Sequence, residues 1–348
     1  MKYGISASEM GTGGSPDAVA KTAEMAEEHG YEFVSLGDTQ AILREVYTTL
    51  SLAGSRTDSI MLGPVVSNPI TRHPVVTASA ICTLNELTDG RAMLGFATGD
   101  SGVLTLGKRP ARLAEMEEAI TMIQTLARGE EADLGETELG DSSVRIRWIT
   151  EENQPNRVPV WLAAEGPKTQ ELAGRVADGV LLGGGLTPEL LEQQVENVKR
   201  GADEVGRSLS DIDIWISSRA NVDDDRDQAV EDLKSNIAGM ANHSLRFTLE
   251  DKGIPDEYRD KVLELKEEYD PHLHQETGKS DNVRLLERLE LTEFIADRYA
   301  IVGEPSDCVA KIRDINQVDG IDGIYISTPT NRTKTVLTRM AEEVFPKV

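Results

Sequence analysis

The sequence predicts an α/β fold, a (β/α)8 TIM barrel with a helical insertion before its last strand. Three observations carry that expectation. Short branched-apolar runs alternate with amphipathic helical stretches eight times, at residues 2–6, 32–36, 60–66, 91–97, 158–163, 179–182, 213–218 and 323–327. Polar or glycine residues follow the runs, as expected of barrel strands that open onto a ligand mouth. No G-x-G-x-x-G opens a helix, which argues against an open doubly wound sheet that binds a dinucleotide.

Taken in order, Lys2 to Ser6 reads as the first strand and is followed by a loop rich in glycine (Gly11, Gly13, Gly14). Ser15-Pro16-Asp17 is a helix start signal, and that helix runs to about Gly30. The second strand ends on Gly37-Asp38-Thr39-Gln40, and a helix spans roughly Leu43 to Ser55. Met61 to Asp100 is a complete β-α-β unit. Its helix starts at Pro74, buries Val75, Ala78, Ile81, Cys82 and Leu84 on one face, and stops at Asp89-Gly90. A helix from about Pro110 to Arg128 follows. Residues 129–156 then break the rhythm, and the alternation in Val144 to Ile149 predicts an exposed hairpin arm. Helices are expected at Pro167–Val176, at Pro188–Gly206 and from about Arg226. Residues 242–298 read as a charged helical insertion, with segments at Tyr258–Tyr269 and Arg284–Asp297. Helices at Ser306–Gln317 and Lys334–Val344 flank the last strand. The organisation expected is one barrel domain over residues 1–348.

Composition narrows the function classes. The 61 acidic residues against 36 basic ones give a net charge of −25. That disfavours nucleic acid and anionic membranes as partners, because phosphate contacts need clustered Lys and Arg. It fits a soluble protein of a salt-rich cytoplasm. Cys82 and Cys308 carry no metal spacing and read as core thiols. The first residues have no signal-peptide pattern, and nothing approaches 18 consecutive apolar residues. A cytoplasmic protein with a small-molecule substrate is expected.

Barrel chemistry sits past the C-terminal ends of the strands. The candidates there are Ser6, Ser8 and Glu9; Asp38, Thr39 and Gln40; Ser67 and Asn68; Thr98 and Asp100; Glu165 and Gly166; Gly183 to Gly185; Ser218 and Arg219; Thr328, Thr330 and Asn331. Any single Ser or Thr among them also serves as an ordinary turn cap. Asp100, after Gly99 at a strand end, is the strongest catalytic candidate, set against an Asp that caps the next turn. Gly166-Pro167-Lys168-Thr169 opens a helix whose free N–H groups, dipole and lysine suit an anionic tail.

The stretch SNPITRHPVVTASAICTLNELTDGRAMLGFATGD resembles the luciferase-like superfamily of flavin and deazaflavin oxidoreductases, and within it the coenzyme F420-dependent methylenetetrahydromethanopterin reductases. The resemblance implies a luciferase-like barrel, coenzyme F420 as cofactor (FMN as the alternative), and a homodimer or higher homo-oligomer. It implies hydride transfer to or from a methylene-tetrahydropterin, with Asp100 at the active site. It points to Asp38, Thr39, Val65, Val66, Ser67 and Thr98 beside the cofactor ring. Gly166, Pro167, Lys168, Gly183 and Gly184 would hold its tail. Val65-Val66 falls where the superfamily has a bulge, often with a non-prolyl cis peptide.

Two departures stand out. Thr39 replaces a histidine common in the superfamily. Ser6 replaces the glutamate proposed as the acid in the reductases, which leaves Glu9 or Glu165 as the proton donor, or a different substrate altogether. An FMN-dependent monooxygenase and a non-catalytic cofactor-binding barrel are the competing readings. Gly102 to Arg109 misses the phosphate-loop Ser/Thr, since Arg109 stands in its place. His272-Leu273-His274 lacks a third metal ligand. Asn242-His243-Ser244 is a glycosylation triplet without a secretory route. No metal site is expected.

Overall fold

The first β-α unit is β1 (Lys2–Ser6) and α1 (Pro16–Glu28). Ser15 Oγ accepts from the Ala18 N–H and Pro16 takes the first helical position, so the helix starts where the sequence signals it. The computed structural model describes every residue except 9–13, 139, 151, 154–155, 246–248, 251, 271–279 and 330. Next come β2 (Phe33–Leu36), α2 (Val46–Gly54), β3 (Met61–Pro64), α3 (Pro74–Leu87) and β4 (Leu94–Phe96). A four-residue helix, α4 (Ser101–Leu104), precedes α5 (Leu113–Ala127).

An antiparallel hairpin of β5 (Ala132–Thr137) and β6 (Gly140–Val144) then leaves the barrel. It lies before the stretch whose alternation predicted a hairpin. Ile146 and Ile149 are buried while Arg145 and Arg147 are exposed. That alternation therefore reports side chains tucked into the main core, not strand pairing.

The barrel resumes with β7 (Val160–Ala164), α6 (Pro167–Val176), β8 (Gly179–Leu182), α7 (Pro188–Glu204) and β9 (Asp213–Val222). Four helices follow, α8 (Arg226–Leu245), α9 (Asp256–Glu268), α10 (Asp281–Arg288) and α11 (Thr292–Tyr299). They carry a hydrophobic cluster of their own around Leu233, Ile237, Leu286, Leu291 and Ile295. The chain ends with β10 (Ala300–Gly303), α12 (Pro305–Ile315), β11 (Gly323–Ser327) and α13 (Thr333–Arg339). Among the described residues no helix is long and apolar enough to cross a membrane.

Eight parallel strands make the wall, in the order β3-β2-β1-β11-β9-β8-β7-β4. The expected strands are all present. A further one, β10, pairs with the overhanging end of β9, with Ala300 opposite Arg219. β3 and β4 close the barrel through two bridges, Leu62 to Ala92 and Ser67 to Phe96. Five residue steps on one side face four on the other, so β3 carries a one-residue bulge at the seam. The Val65–Val66 peptide inside that bulge is cis.

Side chains fill the lower interior. Phe33, Met93, Trp161 and Trp215 lie there with Leu181 and Tyr325, and Phe33 stacks on Tyr325 at 5.4 Å between ring centroids. Three of these rings sit opposite a glycine: Gly4 pairs with Phe33, Gly179 with Trp161 and Gly323 with Trp215. A Cβ on any of the three glycines would lie 2.4–2.6 Å from the facing ring. Above this layer the inward residues are small (Ser6, Ala163, Ser217), which leaves space at the strand ends.

Candidate active site

That space is a cavity of about 330 Å3 over the Tyr325 and Leu181 side chains. β1 and β2 bring Ser6, Ser8, Asp38 and Thr39 to it, and the β3 bulge brings Val65, Val66, Ser67 and Asn68. The loop after β4 adds Asp100, the end of β7 adds Glu165, and β9 adds Arg219. One face of α8 covers it with Ser235, Asn236, Gly239, Met240 and His243.

The rim residues on the β1–β3 side are held by one another. Ser67 Oγ donates to Asp38 Oδ2 at 2.6 Å, with Arg72 Nε 3.6 Å from the same oxygen. Asp38 is thus both a cavity residue and the tie between the ends of β2 and β3. Asn68 Oδ1 accepts from the N–H groups of Ile70 and Thr71, so it caps its own turn. Thr39 Oγ1 lies 3.3 Å from Ser101 Oγ. Ser6 Oγ accepts from the Ser8 N–H, and Ser8 Oγ from the Gly37 N–H.

Across the cavity lies a charged group. His243 Nδ1 is 2.9 Å from Asp100 Oδ2, and its Nε2 is 3.1 Å from Glu165 Oε1. One imidazole therefore spans two carboxylates from two different strand ends. Asp100 precedes α4 but makes no side-chain cap to it, so the turn-cap alternative does not describe it. The charge of Glu165 is the largest influence on His243. It outweighs desolvation and, with the contacts to both carboxylates, raises the imidazole from 6.5 to about 10. Arg219 stands deeper. Among the described residues its guanidinium has no carboxylate partner and its Nε no hydrogen-bond partner, and burial pulls it below the usual arginine range. Lys252 Nζ donates to the Glu165 carbonyl at 2.7 Å.

Of the sequence candidates, Asp38, Thr39, Val65, Val66, Ser67, Asp100 and Glu165 line the cavity together. Others do not. Thr98 is not among the residues that line the cavity, and its backbone carbonyl accepts from the Ala111 N–H at 2.8 Å. Gly166, Pro167 and Lys168 lie outside the cavity lining, and Lys168 is exposed. Pro167 and Gly184 border only a small neighbouring hollow beside Lys252 and Arg298. The glycines after β8 are needed by the protein itself. A Cβ at Gly183 would lie 2.8 Å from Glu165 Cγ, and one at Gly184 would lie 2.7 Å from Gln194 Oε1. Glu9 and Thr330 lie outside the described residues.

His243 is the residue that sequence reasoning missed, set aside as part of a glycosylation triplet. A signal was present. Ser235, Asn236, Gly239, Met240 and His243 recur at steps of three to four, a stripe of mixed polar character along one helix face. Among the described residues no His, Cys, Asp or Glu group is placed to hold a metal. Both cysteines are buried and outside any disulfide, each thiol pushed up to about 12 by burial.

Fold and site together define a (β/α)8 barrel with a small-molecule cavity at the C-terminal ends of its strands. The chain belongs to the luciferase-like monooxygenase family, whose model matches residues 2–323. It is 29% identical over 324 residues to a 5,10-methylenetetrahydromethanopterin reductase of Methanolobus tindarius, covering 91% of each chain. It is 27% identical to an F420-dependent glucose-6-phosphate dehydrogenase of Nakamurella multipartita, covering 99% of this chain and 95% of the relative. The solved structure of the coenzyme F420-dependent tetrahydromethanopterin reductase of Methanopyrus kandleri superposes with a TM-score of 0.78 at 24% identity, covering 99% of this chain and 98% of the other.

Proposed function

We propose that this protein is a coenzyme F420-dependent oxidoreductase that moves a hydride to or from a methylene-tetrahydropterin-type C1 carrier. The observation that carries this reading is the likeness, along nine-tenths of the chain, to methylenetetrahydromethanopterin reductases. The cavity supports it. Val65, Val66, Ala163 and Leu181 offer apolar walls for flat rings, and Asp38, Ser67 and Arg219 offer polar edges for ring carbonyl and N–H groups. The deazaflavin supplies the hydride chemistry when bound. The chain's own task is to orient the two rings, exclude water and handle one proton. Opening the methylene bridge leaves a nitrogen with the electron pair of the broken C–N bond, and that nitrogen needs a proton. Asp100, Glu165 and His243 face the cavity where it would be delivered.

Arg219 favours a second reading. A half-buried guanidinium without a carboxylate partner among the described residues suits an anionic substrate, and the reaction would then be F420-linked oxidation of a phosphorylated sugar.

The deciding experiment mixes the protein, in molar salt without oxygen, with reduced deazaflavin and either methylene-tetrahydromethanopterin or methylene-tetrahydrofolate. Return of the oxidised cofactor's absorbance that depends on the pterin is expected, and it names the carrier. In parallel, oxidised deazaflavin is offered with glucose 6-phosphate. Turnover there alone would replace the first reading with the second.

A further inference from the structure

We propose that the His243 imidazolium, not either carboxylate beside it, is the proton donor of this active site, with Asp100 and Glu165 as the residues that hold it charged and aimed. This rests on the reaction read above as reductive opening of a methylene bridge between two nitrogens.

The geometry begins with position. His243 lies on α8, outside the eight-strand wall, yet its ring reaches across the strand ends to touch both carboxylates and lines the cavity. A histidine there for packing alone would be expected among apolar neighbours. Here the two ring nitrogens lie 2.9 and 3.1 Å from oxygens of two different carboxylates, Nδ1 out of hydrogen-bond line with its neighbour, and two anions at that range favour the doubly protonated ring. The end of the first strand offers only a serine, Ser6, at the cavity. A serine hydroxyl does not release a proton at neutral pH. His243 supplies a charged N–H donor on the cavity wall instead.

The other ionisable groups around it are accounted for. Asp100 and Glu165 face the ring directly. Arg219 of β9 and Lys252 after α8 both feel the charge of Glu165. Tyr269 after α9 faces Asp100, and Tyr299 of α11 is buried behind Ser244. Both phenols are held neutral by burial and compete for no proton at physiological pH. Two carboxylates therefore bind one proton-carrying ring, and the proton sits on nitrogen.

The step balances. A hydride adds to the methylene carbon, the C–N bond breaks, and its electron pair goes to the nitrogen. That nitrogen takes a proton from the imidazolium, which becomes neutral imidazole between two anions and regains its proton from water. A nitrogen receiving the C–N electron pair is far more basic than imidazole, so the transfer runs downhill even from a strongly retained proton.

The test combines His243→Gln and Glu165→Gln with the wild-type protein. The 15N resonances of the His243 ring are titrated in the cofactor-free chain, and pH–rate profiles are recorded with reduced deazaflavin and the carrier. Expected are a wild-type ring that titrates far above 6.5, a titration lowered by Glu165→Gln, and kcat in His243→Gln reduced by about a hundredfold or more. The KM for the cofactor should stay within about threefold, and the alkaline fall of the wild-type profile should vanish. A His243→Gln enzyme within about threefold of wild type in kcat, with the alkaline limb intact, overturns the proposal. So does loss of that limb in Glu165→Gln alone. If wild type turns over neither pterin, the reading of the reaction is what fails, and the ring titration still decides: a value near 6.5 removes His243 as a charged donor.

Discussion

At the scale of single residues, His243 ties stability to pH in a stated direction. The folded imidazole is raised to about 10 from an ordinary 6.5, chiefly by the charge of Glu165. Folding therefore favours the protonated ring. The contribution is fully present below about pH 6.5 and is lost as pH rises through the folded value near 10. Denaturant midpoints of wild type and His243→Gln, measured from pH 6 to 10.5, should differ most at the acid end and converge at the alkaline end. A pH-independent gap would mean that the ring is neutral in the resting protein. Asp100 and Glu165 were legible in the sequence because barrel chemistry follows strand ends and both residues do. Their partner was not. It comes from a helix beyond the strand-end loops, and only the fold brings residues 100, 165 and 243 together. Asp38 shows the converse. Its strand-end position was visible, but its bond to Ser67 depends on where the β3 bulge places that hydroxyl.

At the scale of elements, the turns after β7 and β8 form one unit. Glu165 leaves the first turn and lies over Gly183 of the second, where a Cβ would come 2.8 Å from its Cγ and 3.2 Å from its Oε1. Gly183→Ala should displace the Glu165 carboxylate from His243 and lower kcat roughly tenfold or more, since small misplacements at a reacting centre are costly. Cofactor affinity should change little. If instead the cofactor KM rises tenfold and kcat holds, Gly183 contacts the cofactor and the sequence-based reading of this turn is restored. Strand and helix order was legible because apolar runs of four to seven residues alternate with helix starts at Pro16, Pro74, Pro167 and Pro188. The break between α10 and α11 was not legible, because Glu290 rather than a glycine takes the positive φ there. β10 was missed for a similar reason. Four apolar residues directly after a helix carry no turn signal, and their pairing depends on β9 running past the barrel rim.

At the scale of the whole molecule, the surplus of 25 negative charges outweighs the surface ion pairs. Pairs such as Arg284–Asp281 and Arg288–Glu264 are exposed and individually contribute little. The remaining carboxylates repel one another in the compact state. Screening should relieve this, because the Debye length falls from about 10 Å at 0.1 M salt to about 3 Å at 1 M. The unfolding temperature is therefore expected to rise by roughly 5 °C or more from 0.1 to 1 M KCl, which is on the order of 1–3 kcal/mol for a chain of this size. The form of the dependence separates two causes. Screening saturates once the Debye length is below the spacing of surface charges, and it is the same for chloride salts of potassium and sodium. Strengthened apolar burial keeps rising with concentration and is larger for sulfate than for chloride. A steady climb beyond 1 M that follows the anion would assign the stabilisation to the core and not to relief of surface repulsion.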